Sequence, residues 1–139
     1  MLDEFLDSNV LVYAFTTDAR ASVAQGLLAR GCSLNLQILN EFANVARRKL
    51  GMSWTQLCDA LADIRTLCPT VHPLTIDIHS DALRHAQRHG FSIFDALVVA
   101  AALHAGCSTL WSEDMQHGLM IDKLLRILNP FLESLPRSP

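Results

Sequence analysis

Residues 92–106 read Ser92-Ile93-Phe94-Asp95-Ala96-Leu97-Val98-Val99-Ala100-Ala101-Ala102-Leu103-His104-Ala105-Gly106. From Ala96 to Leu103 no polar residue interrupts the run. A helix that is apolar all round its circumference is buried, here by packing on a sheet. Ser92 caps its start, Asp95 stands where the partner of a Ser-x-x-Asp capping box belongs, and Gly106 ends it.

Working outward, Thr109-Leu110-Trp111 reads as a strand with Ser112-Glu113-Asp114 at its end. A last strand, Leu125–Leu128, precedes Asn129-Pro130, and the tail Ser134–Pro139 reads as frayed. Upstream, a helix over 76–89 ends at Gly90, and a short strand, Val71–Leu74, precedes it. Ser53 caps a helix over 54–67 that Pro69 ends. A helix over 37–50 carries Ile38, Phe42, Val45 and Ala46 at helical spacing, with Gly51 as its stop. A strand spans Cys32–Asn35, and Asp18 is placed to cap a helix over 19–30 ended by Gly31. The N-terminal run Phe5–Tyr13 reads as a short strand that breaks at the turn-forming Asp7-Ser8-Asn9.

Strands alternate with helices along the whole chain. That order predicts an α/β fold: a three-layer α/β/α sandwich with a central, mainly parallel sheet, in one domain over residues 1–139. There are no repeats or low-complexity linkers. Ligands of such sheets bind beyond the carboxyl ends of the strands, where the topology reverses. Asp7 and Asp114 both follow strands and are expected in that crevice.

With 139 residues, half of them hydrophobic, the chain can bury a core without disulfides. No stretch of about 18 uncharged apolar residues occurs, so no membrane span is expected. Met1-Leu2-Asp3-Glu4 lacks the basic start of a secretory signal, which places the chain in the cytoplasm. Cys32, Cys58, Cys68 and Cys107 form no C-x-x-C pair and read as buried, reduced thiols. The net charge of −3 is wrong for a nucleic-acid binder that works by phosphate neutralisation alone. Were RNA the target, a bound divalent metal would have to supply positive charge.

Four of the acids sit in apolar or turn settings: Asp7, Glu41, Asp95 and Asp114. Each alone has a plain structural use. Asp7 suits an Asx-turn, Glu41 the polar edge of a helix, Asp95 the capping box, and Asp114 the N-cap of a turn beginning at Met115. Their order and spacing say more. Leu6-Asp7-Ser8-Asn9-Val10-Leu11-Val12-Tyr13 resembles the opening motif of PIN-domain nucleases, with Ser8 where Thr is commoner. Leu39-Asn40-Glu41-Phe42 is similar to their second acidic motif, Phe94-Asp95-Ala96-Leu97-Val98-Val99-Ala100-Ala101-Ala102 to the third, and Leu110-Trp111-Ser112-Glu113-Asp114 to the fourth. Ile127-Leu128-Asn129-Pro130-Phe131 matches how many members finish. The resemblance spans essentially the whole chain and points to VapC-type toxins.

That resemblance implies a metal-dependent endoribonuclease, the toxin of a toxin–antitoxin pair. Asp7 and Asp95 are the expected main ligands of Mg²⁺ or Mn²⁺, completed by Asp114. Glu41 is expected at a second ion, or in water-bridged coordination and water activation. Hard divalent cations take oxygen ligands and need no Cys or His cluster. Ser8, Asn9 and Ser112 are expected to orient the acids or the phosphate. Glu113 beside Asp114 leaves the fourth carboxylate ambiguous; position favours Asp114. RNA, an antitoxin and a second copy of the chain are the expected partners.

Other polar groups read more plainly. His85 and His89 share a helix face, but Ala86 stands where the H-E-x-x-H metal motif needs its acid. With Arg84 and Arg88 they read as a solvated, weakly basic face. Arg47-Arg48-Lys49 opposes the helix dipole, or contacts RNA backbone. Trp54 and Trp111 read as packing residues. Leu57, Leu61 and Ile64 form an apolar stripe for the core or for a partner. A phospho-receiver would need an acidic pair after the first strand, and an aspartyl phosphatase would need D-x-D where Asp7-Ser8-Asn9 stands. A PIN scaffold that only binds a partner is the remaining alternative.

Overall fold

A computed structural model of the chain describes residues 3–132, so the tail expected to fray lies outside the described residues. The first strand, β1 (Glu4–Leu6), is entirely buried. It pairs in parallel with β4 (Thr109–Trp111), Leu6 opposite Trp111. β4 pairs in parallel with β6 (Leu125–Leu128), and β5 (Met120–Ile121) closes that side antiparallel to β6. On the other side of β1, a parallel bridge joins Phe5 to Ser33. That bridge leads to β2 (Leu34–Asn35), which pairs in parallel with β3 (Val71–His72). The sheet is thus central and mainly parallel, as the alternation of elements requires, and β1 lies where strand order reverses.

The helices are α1 (Ser8–Tyr13), α2 (Ala21–Ala29), α3 (Leu36–Arg48), α4 (Trp54–Leu67), α5 (Ile76–His89) and α6 (Ile93–His104). α1 packs on α2 and α3, α4 on α2 and α3, and α5 along α6. α6 buries Ala96 and every residue from Val98 to Ala102, as its composition predicted. Leu57 and Ile64 of α4 are buried and Leu61 packs against them, so that stripe serves the core.

Several expectations are corrected. Residues 8–13 turn at once into α1, because Asp7 is its N-cap (φ −78°, ψ 159°) and accepts from the Ser8 N–H. The β-branched Val10 and Val12 are carried into a helix by packing, a tertiary override of local preference. Asp18 does not cap α2. Arg20 holds that position without a side-chain cap, while the Asp18 carboxylate takes the backbone N–H and guanidinium of Arg20. β3 ends at His72, since Pro73 has no N–H for the ladder. β5 was not expected at all: its two residues carry no readable periodicity. Trp54 is 67% exposed and lies under the Arg47 guanidinium, 4.2 Å from ring centroid to Cζ. Cys58 is exposed, whereas the other three thiols are buried. His85 is buried rather than solvated; Arg84 and Arg88 are exposed and pair with Asp81 and Asp122. No helix among the described residues is long and apolar enough to cross a membrane.

Candidate active site

β1 ends at Leu6 and β4 at Trp111, side by side, so the residues that follow leave the sheet at one edge. The Asp7 N–H donates to the Trp111 carbonyl at 3.0 Å, fixing that juncture. Asp7 is 4% exposed and Ser112 fully buried. Asp7 Oδ1 accepts from the Ser8 N–H and Oδ2 from the Ser112 hydroxyl, both at 2.7 Å. Burial pushes the Asp7 carboxyl up to about 7. The Ser112 and Ser8 hydrogen bonds work against that rise, and the charges of Glu41 and Asp114 add to it.

Asn9, the second residue of α1, ties these groups together. Its Nδ2 donates to Asp114 Oδ2 at 3.0 Å and lies 3.5 Å from both Ser112 Oγ and Asp7 Oδ2. Its Oδ1 accepts from the Glu113 N–H at 3.3 Å. Glu41 comes from α3, which starts at once after β2 because Asn35 caps it through the Ile38 N–H. The Ser8 hydroxyl donates to Glu41 Oε2 at 2.9 Å and the Gln37 amide to Oε1 at 3.3 Å. Asp95 enters from the start of α6. Its backbone N–H donates to Ser92 Oγ at 3.2 Å, so the cap is made through the main chain. Asp95 is raised above the usual carboxylate range by burial first, then by the charge of Asp114, with Ser92 opposing and Glu41 adding.

Asp7, Glu41, Asp95 and Asp114, drawn from four different elements, line one cavity of about 270 Å³. Glu113 is turned away: Tyr13 Oη donates to Oε1 at 2.9 Å, and Arg20 Nε is 3.2 Å from Oε2. Asn44 and Phe94 also line the pocket and were not singled out from sequence. Asn44 follows Glu41 by three positions on one helix face, a signal that was readable. A more apolar cavity of about 340 Å³, near Phe15, Leu28 and Leu67, has Asp63 as its one acid. The convergent carboxylates mark the smaller cavity as the one equipped for chemistry.

The donor set is all oxygen, which suits a hard divalent ion. Among the described residues no three of the acids are gathered closely enough to close directly on one ion. Mg²⁺ keeps several waters in such sites, and a spread set of carboxylates can hold it partly through them. Carboxylates that raise one another's proton affinity, as Glu41 and Asp114 do for Asp7, form a site that a cation relieves.

A family profile described as PIN domain matches residues 5–118, a span that contains all four acids. Among solved structures, VapC20 of Mycobacterium tuberculosis, described as a sarcin–ricin loop cleaving toxin, superposes with a TM-score of 0.67. The identity is 24%, over 80% of this chain and 89% of that one. A toxin–antitoxin complex from Klebsiella pneumoniae gives a TM-score of 0.70 at 15% identity, over 91% of this chain and 97% of that one. No curated protein matches.

Proposed function

The chain belongs to the PIN-domain family, and from that membership we propose that it is a metal-dependent endoribonuclease, the toxin of a toxin–antitoxin pair. The observation that carries the reading is the meeting of Asp7, Glu41, Asp95 and Asp114 in one cavity at the carboxyl edge of the sheet. Asp7 and Asp95 would hold Mg²⁺ or Mn²⁺, with Asp114 completing the set and Glu41 at a second ion or a bridging water. A divalent ion there would offset charge developing on the scissile phosphate and lower the pKa of its bound water.

The chain's own groups do the rest. Ser112 and the Ser8 N–H hold the Asp7 carboxylate in place by hydrogen bonds to separate oxygens. Asn9 fixes Asp114 at the rim. Glu41, steadied by Ser8 and Gln37, is positioned to accept a proton from the attacking water. The hydroxyls and amide act through the acids and are positioning groups.

A net charge of −3 supports metal rather than a basic groove as the source of phosphate affinity. An unregulated nuclease would damage its own cell, so a partner is part of the reading. The chain superposes on a solved toxin–antitoxin complex, and we place an antitoxin segment across the crevice with a basic side chain among Asp7, Asp95 and Asp114. A homodimer belongs to the same reading.

The test is cleavage of a single-stranded RNA by purified protein in Mn²⁺, with EDTA and Asp7→Asn as controls and an aryl phosphate as competing substrate. RNA cleavage that needs the metal and Asp7 supports the proposal. Full activity in EDTA, or turnover of the aryl phosphate alone, overturns it.

A further inference from the structure

We propose that Phe94 is the base-stacking residue of the substrate groove, gripping the nucleobase beside the scissile phosphate of single-stranded RNA. The inference rests on the nuclease reading and specifies its substrate contact.

Phe94 is the second residue of α6, a helix whose other apolar side chains are buried or packed against the core. Yet Phe94 is 59% exposed, and it lines the cavity that holds Asp7, Glu41, Asp95 and Asp114. Its neighbour Asp95 shares that cavity. A large aromatic ring left in water at the wall of an acidic pocket contributes little to the core. It does offer a π-face within reach of whatever the carboxylates act on. Any phosphate held there brings a nucleobase to the rim on either side.

The charge balance gives the ring a reason to matter. Asn44 faces the same cavity on α3, and Arg48 lies one turn further along that helix on the same side. Arg47 is occupied by the Met52 carbonyl and Trp54. No Lys or Arg lines the cavity itself, and Arg48, which makes no ion pair among the described residues, is a cation open to a neighbouring phosphate. A groove with so little positive charge must draw affinity from contacts that are not ionic. Stacking on an aromatic side chain is such a contact, and it tolerates any base. A base inside a duplex is not available to the ring, so the target is a single strand, a loop or a bulge.

The experiment uses a short single-stranded RNA with a mapped cut, and a series carrying one abasic residue at each position around that cut. Wild type, Phe94→Ala, Phe94→Leu and Phe94→Trp are compared in Mn²⁺. Phe94→Ala should keep the wild-type melting temperature and raise KM about tenfold or more. Phe94→Trp should stay near wild type, and Phe94→Leu should behave as alanine does. One abasic position should cost the wild type a similar factor and cost Phe94→Ala nothing further. Equal abasic penalties in wild type and Phe94→Ala, or wild-type KM in Phe94→Leu, would overturn the proposal. So would a changed solution mass in Phe94→Ala with KM unmoved, which would assign the ring to a contact between copies. If the wild type cuts no RNA, the nuclease reading fails and this inference with it; if it cuts while the Phe94 variants match it, only this inference fails.

Discussion

The Ser112 hydroxyl donates to Asp7 Oδ2 at 2.7 Å, joining two buried residues that stand 105 positions apart in sequence. The bond crosses from the end of β4 to the end of β1, at the reversal of strand order. It opposes the rise in proton affinity that burial imposes on Asp7. Ser112→Ala should therefore leave Asp7 protonated to higher pH and weaken Mn²⁺ binding roughly 10- to 100-fold near neutral pH. Calorimetric titrations near pH 7 and about two units higher read this out, and the defect should shrink at the higher pH. An unchanged affinity at both would contradict it.

Asp7 also sets a pH dependence of stability. Its carboxyl is raised from 3.8 to about 7 in the fold, so the folded state prefers the protonated form. The stabilisation is fully present below the unfolded pKa and is lost as pH rises through the folded one. The metal-free protein should become less stable between about pH 4 and about pH 7, by an amount on the order of a few kcal/mol. Asp7→Asn removes that slope and melts higher than wild type at alkaline pH. Thermal melts across this range in EDTA decide it; the same slope in both proteins would exclude Asp7 as its source.

Glu113 and Asp114 are adjacent in sequence and face different surroundings. Glu113→Gln weakens the contacts with Tyr13 and Arg20 and should cost about 0.5–1.5 kcal/mol of stability, with metal affinity largely retained. Asp114→Asn should do the reverse, since Asp114 is exposed and its main bond is to Asn9. Chemical denaturation paired with a Mn²⁺ titration separates the two. Loss of metal binding in Glu113→Gln alone would reverse the assignment.

Much of this was legible in the sequence because chain order and local chemistry agreed. The apolar run Ala96–Leu103, the Ser53 cap and the stops at Gly51 and Gly90 each predict an element that is present. The predicted strands put Asp7 and Asp114 just after strand ends, and those strands, β1 and β4, prove to be neighbours. What escaped was decided at a distance. α1 could not be read from Val10 to Tyr13, because packing rather than propensity makes it a helix. The separate directions of Glu113 and Asp114 depend on Arg20 and Tyr13, about 100 positions earlier. Asp95 looked spoken for by a capping box, but only the half in which Ser92 Oγ accepts from its backbone N–H is formed, and Asp95 also lines the pocket. Trp54 read as a packing residue, and nothing local shows that it stays exposed with the Arg47 guanidinium over its ring.

The biological role has its own outcome. Inducing the wild-type chain alone should arrest growth and degrade a limited set of RNAs, while Asp7→Asn should be tolerated. Sequencing of cellular RNA ends after induction provides the readout. Equal tolerance of both proteins at matched expression, in a host with no cognate antitoxin, would reject the toxin role and leave the nuclease proposal standing.

If the four carboxylates act together as one metal centre, a Mn²⁺ titration followed by the paramagnetic resonance of the free aqua ion will report it. Wild type should deplete that signal. Asp7→Asn, Glu41→Gln, Asp95→Asn and Asp114→Asn, each folded by circular dichroism, should each bind at least about tenfold more weakly. If all four variants deplete the signal as wild type does, the carboxylates do not form a metal centre.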